Sequence, residues 1–222
     1  MAPMPDGTTP RATVAALLGL TFATGIIDAA SVLGPGRVFT ANMTGNVVFL
    51  GFALAGRGTT SIVLGLVALG AFLGGAAIGG RVGSGDRAAT ARRGMVLEII
   101  ALAAATALAW IASSGAVLAI VALLALAMGL RNAMVRTLAV ADLTTTVLTL
   151  TLTGIAADGS IAAGTSPRWR RRTAAAFLML AGAFAGAWIL QLGLSAALGL
   201  ALAVEIGSGA LLLRGTSVRA AV

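Results

Sequence analysis

Apolar runs about as long as a bilayer is thick constrain this chain more than any other feature. The longest runs cover residues 12–33, 59–82, 94–112, 116–135, 174–192 and 196–213. A helix needs about 20 such residues to cross the hydrocarbon of a membrane. With 59% hydrophobic and 10% charged residues, the chain is far more apolar than soluble domains, which average about 45–50% apolar residues. The sequence therefore predicts an all-α integral membrane protein.

The residue types that are missing exclude several functions. Cysteine, histidine, lysine and tyrosine are absent, and all 15 positive charges are arginine. We therefore expect no metal site, no cofactor and no enzymatic activity, because only carboxylate or threonine chemistry is left. The arginines that give the chain its net charge of +8 lie in short loops between apolar runs. That distribution indicates the positive-inside pattern of a membrane protein rather than a nucleic-acid partner.

Two shorter apolar runs, residues 42–56 and 143–157, begin with polar stretches. The first stretch is Thr40-Ala41-Asn42-Met43-Thr44-Gly45-Asn46, and the second is Asp142-Leu143-Thr144-Thr145-Thr146. So many hydrogen-bonding side chains at the edge of apolar runs are typical of broken helices that line a cavity within the membrane.

The side of the membrane on which each basic loop should lie predicts that these two short runs are re-entrant helices. The basic loops 83–93 and 168–172 should both be cytoplasmic, which requires that one run between them does not cross. If both short runs enter the membrane and return to the same side, six spans remain and both termini are cytoplasmic. We expect the protein in the inner (cell) membrane. The alternative has eight full spans in parallel repeats and leaves one basic loop outside.

Matching motifs indicate an internal duplication. Gly25-x-x-Asp28 is matched by Gly129-x-x-Asn132, Asn42-Met43-Thr44 by Asp142-Leu143-Thr144, and Gly70-Ala71-Phe72-x-Gly74 by Gly182-Ala183-Phe184-x-Gly186. We divide the chain into a disordered tail (1–11), a first repeat (12–113), a second repeat (114–214) and a C-terminal tail (215–222). With six spans, the two repeats are inverted, as in many secondary transporters.

The starts of the re-entrant helices are candidate substrate-binding sites. A helix start carries unpaired N–H groups and a positive dipole, which favour an anion. The candidate residues are Asn42, Thr44, Asn46, Asp142, Thr144 and Thr145. The alternative for Asn42 is a simple helix cap. Asp142 differs, because its carboxylate could bind a proton or sodium ion, or pair with an arginine.

Acidic residues inside apolar runs are candidates for ion or proton coupling, because burying a charge in a membrane is costly. Asp28 and Glu205 are the two candidates. Arg131 could pair with Asp28 in a structural ion pair. Glu98 follows Arg93 closely, so we expect its side chain to reach the cytoplasmic surface.

The string Gly36-Arg37-Val38-Phe39-Thr40-Ala41-Asn42-Met43-Thr44-Gly45-Asn46, with Gly25-Ile26-Ile27-Asp28-Ala29 before it, resembles the YoaK-like family of bacterial membrane proteins. The resemblance implies about six spans and supplies no substrate. We expect a small secondary transporter or channel-like carrier of a small anion or polar solute. The alternative is a non-transporting subunit or interaction protein. Besides the lipid bilayer and this unknown solute, a second copy of the chain could bind through the glycine-rich helix faces.

Overall fold

A computed structural model describes residues 11–83, 87–111, 114–138, 145, 148–158 and 169–217. These residues form the helices α1 (Arg11–Leu33), α2 (Met43–Leu54), α3 (Ile62–Val82), α4 (Arg87–Ile111), α5 (Val117–Leu138), α6 (Thr149–Ala157), α7 (Trp169–Ile189) and α8 (Leu194–Ser217). In this described part, six helices are long and apolar enough to cross a membrane, namely α1, α3, α4, α5, α7 and α8. The prediction of an all-α membrane protein with six spans is confirmed.

The two remaining helices are too short to cross. Helix α2 has 12 residues and α6 has 9, so at 1.5 Å per residue they reach only about 18 Å and about 14 Å. The hydrocarbon is about 30 Å thick. Helix α1 ends just before Gly34-Pro35-Gly36, where proline removes a backbone donor. The alternative of eight full spans therefore does not fit the described helices.

Glycines let the spanning helices approach closely in two pairs, α1 with α7 and α3 with α5. A Cβ atom added at four of them would lie within 2.4 Å of a carbonyl oxygen on the facing helix: Gly25 (Met179), Gly182 (Phe22), Gly75 (Leu126) and Gly129 (Phe72). Small residues allow this kind of contact between membrane helices. The repeat motifs matched Gly70 and Gly74 with Gly182 and Gly186, but a Cβ atom added at Gly70 or Gly74 would meet nothing within 4 Å. In their contacts, Gly75 and Gly79 are the counterparts of Gly182 and Gly186.

The order of contacts fixes the helix directions. The parallel pairs are α1 with α7 (Phe22 near Gly182, Ile26 near Gly186) and α3 with α5 (Gly75 near Leu126, Gly79 near Leu130). Helix α1 is antiparallel to α8, since Gly19 lies near Ser208 and Gly34, just after α1, lies near Leu194. Helix α4 is antiparallel to α5, since Gly94 lies near Met134 and Glu98 is bonded to Arg131. Helix α1 is antiparallel to α5, since Leu20 is bonded to Arg131 and Gly36, just after α1, lies near Val121. Helices α1, α4 and α7 therefore run one way, and α3, α5 and α8 run the other.

The core lies where α1, α4, α5 and α8 meet. Ile27, Leu102, Met128 and Leu198 belong to its largest apolar cluster, one from each helix. The outer faces of α3 and α7 instead expose large apolar side chains such as Leu73 and Phe184. Such faces suit contact with lipid, since apolar side chains need no hydrogen-bonding partner there.

Candidate functional site

A buried carboxylate fixes the loop that precedes α2. Asp28 Oδ1 accepts the backbone N–H groups of Thr40 at 3.1 Å and Ala41 at 3.0 Å, and the Thr40 hydroxyl at 3.5 Å. The Asp28 side chain is almost fully buried. Among the described residues, these bonds all end on Oδ1, which leaves Oδ2 available. The suggested ion pair between Asp28 and Arg131 is wrong, because the Arg131 guanidinium donates its hydrogen bonds to other groups.

Asn46 holds the same loop through the backbone of Phe39. Its Oδ1 accepts the Phe39 N–H at 2.8 Å, and its Nδ2 donates to the Phe39 carbonyl at 2.6 Å. The residue is 1% exposed. The side chain thus acts as a brace for the loop. Asn42 is exposed and accepts the Gly45 N–H at 3.3 Å, as a helix cap does.

A cavity of about 810 Å³ opens where the two short helices begin. Its polar lining comprises Asp28 of α1, Asn42 and Thr44 at the start of α2, Asn132 of α5 and Thr149 at the start of α6. Its apolar lining includes Phe39, Phe49, Phe72, Met43 and Met179. The starts of α2 and α6, far apart in sequence, therefore face one chamber.

The second polar stretch is described only in part. Asp142 and Thr144 lie outside the described residues. Thr145 is buried, with a left-handed φ of 59°, and it is not among the cavity-lining residues described. Asn132 and Thr149 line the cavity although they were not among the predicted site residues. The match between Asn132 and Asp28 was the signal that could have identified Asn132.

A second polar cluster lies in the core between α1, α4, α5 and α8. Arg131 Nε donates to Glu98 Oε1 and Nη2 donates to Glu205 Oε1. Nη1 donates to the Leu20 carbonyl at 3.0 Å and to the Thr24 hydroxyl at 2.7 Å. Arg131, Glu98 and Glu205 are all 0% exposed. The expectation that Glu98 reaches the surface is wrong, because α4 turns this residue toward α5.

An arginine joins α6 to α7. Arg172 Nη1 donates to the Gly154 carbonyl at 2.6 Å and to Asp158 Oδ2 at 2.6 Å. The positive charge thus sits at the carboxyl end of α6, where the helix dipole is negative. This contact anchors the short helix at the end away from the cavity.

Comparison with known proteins agrees with this architecture. The family model described as "Protein of unknown function (DUF1275)" matches residues 16–211. The chain is also 32% identical over 152 residues to the UPF0700 transmembrane protein YoaK of Bacillus subtilis (strain 168), which covers 67% of each chain. No solved structure matches. The chain therefore belongs to the DUF1275 family and is a multi-pass membrane protein.

Proposed function

We propose that this protein is a small secondary transporter or channel-like carrier whose solute occupies the cavity between the starts of α2 and α6. The observation that carries the proposal is the chamber itself: two short helix starts and the buried Asp28 line it together. Polar groups and interrupted backbone at membrane depth are tolerated where they line a wet cavity. In many transporters, such broken helices form the substrate site.

Helix directions support an inverted-repeat arrangement for this carrier. Within residues 12–113 the spans α1, α3 and α4 alternate in direction, and α5, α7 and α8 repeat that order upside down. The glycine contacts relate the two repeats in the same way, since α1 of the first repeat packs on α7 of the second, and α5 of the second packs on α3 of the first. An inverted repeat provides two related half-structures that can rock around a central site.

Charge distribution supports an orientation with both termini in the cytoplasm. The start of α1, the junction of α3 with α4, the start of α7 and the end of α8 lie on one side by helix direction. Arginines concentrate there, including Arg92, Arg93, Arg170 and Arg171. Excess arginine marks the cytoplasmic side of a membrane protein.

The lining favours a small neutral or cationic solute over the anion that the helix starts alone suggested. Asp28 brings a carboxylate to the wall beside the positive start of α2, which offsets the attraction for an anion. The aromatic and methionine side chains offer apolar contact for the rest of the molecule. We therefore propose a solute with a hydrogen-bonding or positively charged group and an apolar body, held without chemical conversion.

Binding and flux measurements test this proposal. Purified protein is screened by thermal unfolding against small amines, zwitterions and polyols, with carboxylates and phosphates as the anionic arm. We expect neutral or cationic solutes to raise the melting temperature of the wild type but not of Asp28→Asn, and to move into proteoliposomes. Gly74→Ala, on the outer face of α3, is the matched control. Stabilisation by anions alone, or no flux for any solute, would overturn the proposal.

A further inference from the structure

The Arg131 cluster contains more acid than base. One guanidinium binds two carboxyl groups, Glu98 Oε1 through Nε and Glu205 Oε1 through Nη2. Nη1 is occupied by a carbonyl and a hydroxyl of α1, which carry no charge. If both glutamates were ionised, the cluster would therefore hold one uncompensated negative charge. Burying such an uncompensated charge is strongly unfavourable even after the protein relaxes.

The second oxygens of the two glutamates point to the same deficit. In the described part of the chain, Glu98 Oε2 and Glu205 Oε2 are buried and have no hydrogen-bond partner. An ionised carboxylate oxygen without a donor is costly to bury. A protonated carboxyl oxygen, in contrast, carries its own O–H and loses the charge.

The described residues of the neighbouring helices supply no second positive charge to the cluster. Among the described residues of α1, α3, α4, α5 and α8, Arg131 is the only buried arginine. Arg172 of α7 is buried but engaged with Asp158 and Gly154 at the end of α6. Among the described residues of α1, α4, α5 and α8, the one further acidic group is Asp28 of α1, which adds negative charge rather than balancing it.

We propose that Glu98 and Glu205 hold one proton between them at Arg131, so that the cluster is neutral when protonated. Releasing the proton leaves two carboxylates on one guanidinium, with α4 and α8 in direct contact. The cluster is thus a proton-binding site at the junction of the two halves. This inference stands whether or not a solute crosses the cavity described above.

Infrared spectroscopy of the lipid-reconstituted protein tests the proposal. We expect a carbonyl-stretch band of a protonated carboxyl group at neutral pH, shifted in D2O, in the wild type. The band should persist in Asp158→Asn and Asp28→Asn, which change carboxyl groups outside the cluster. It should vanish in Glu98→Gln and also in Glu205→Gln, because the negative charge of the one remaining glutamate already balances the positive charge of Arg131. Absence of the band in the wild type, or its survival in both glutamine variants, would overturn the proposal.

Thermal unfolding gives a second measurement. The folded protein would hold one more proton than the unfolded chain at neutral pH, so its melting temperature should fall as the pH rises. This slope should flatten in each single glutamine variant, whereas the double variant strands Arg131 and unfolds more readily. In an Asp28→Asn background, in which the cavity lacks its carboxylate, replacing choline chloride by sodium chloride at constant pH should change nothing. A sodium-specific stabilisation that the glutamine variants lose would assign the site to a cation instead.

Discussion

The carboxylate of Asp28 accepts the N–H of Ala41 at 3.0 Å, and this bond ties the membrane-embedded part of α1 to the residues that precede α2. The loop between them contains the break at Gly34-Pro35-Gly36 and cannot bond to itself as a helix does. Asp28 supplies the missing acceptor, and the same residue lines the cavity. One side chain therefore shapes the start of α2 and contributes charge to the chamber.

Separating these two roles gives the first prediction. Asp28→Asn keeps an oxygen that accepts from Thr40 and Ala41 but removes the charge. We expect a folded protein whose affinity for a cationic solute is at least about tenfold lower, which corresponds to about 1.4 kcal/mol. Asp28→Ala removes the acceptor as well and should lower stability by about 1–3 kcal/mol. Thermal unfolding with and without solute measures both effects. Equal destabilisation by the two variants would contradict this division of roles.

The brace on the loop gives a second prediction. Asn46→Leu removes both bonds to the Phe39 backbone in a buried position and strands an N–H and a carbonyl. We expect a loss of about 1–3 kcal/mol, measured as a lower melting temperature in detergent. Asn42→Ala, which removes an exposed cap a turn earlier, should cost only about 1 kcal/mol. If the loss at Asn42 were the larger one, Asn46 would not be the main support of the loop.

How far the sequence could predict this structure depends on the kind of contact. The six spans follow from local composition and were predicted. The role of Asn46 was not, because its partner Phe39 is reached only when the loop folds back. Glu98 was misplaced because its partner Arg131 lies on another helix, and apolar runs carry little information about rotation. The glycines of the two repeats were aligned wrongly because α3 contains six glycines, and only packing selects Gly75 and Gly79.

A third prediction concerns which side each loop occupies. The chain has no cysteine, so single cysteines can be labelled without background. Arg57, between α2 and α3, and Arg92, near the start of α4, are both exposed. If α2 is re-entrant, Arg57→Cys should react with an impermeant thiol reagent in intact cells, whereas Arg92→Cys should react only after permeabilisation. The reverse pattern would contradict cytoplasmic termini, and reaction of both in intact cells would contradict the single crossing by α3.

The close helix contacts give the last prediction. A Cβ atom at Gly182 would lie 2.1 Å from the Phe22 carbonyl oxygen, so Gly182→Ala must push α7 away from α1. We expect a large loss of thermal stability or of folded yield, because backbone on both sides cannot yield locally. Gly74→Ala provides the matched control, since nothing lies within 4 Å of that position and alanine favours a helix over glycine by about 1 kcal/mol. Size-exclusion profiles and melting curves of the two variants measure the difference. Similar behaviour of the two variants would mean that α1 and α7 are not packed through Gly182.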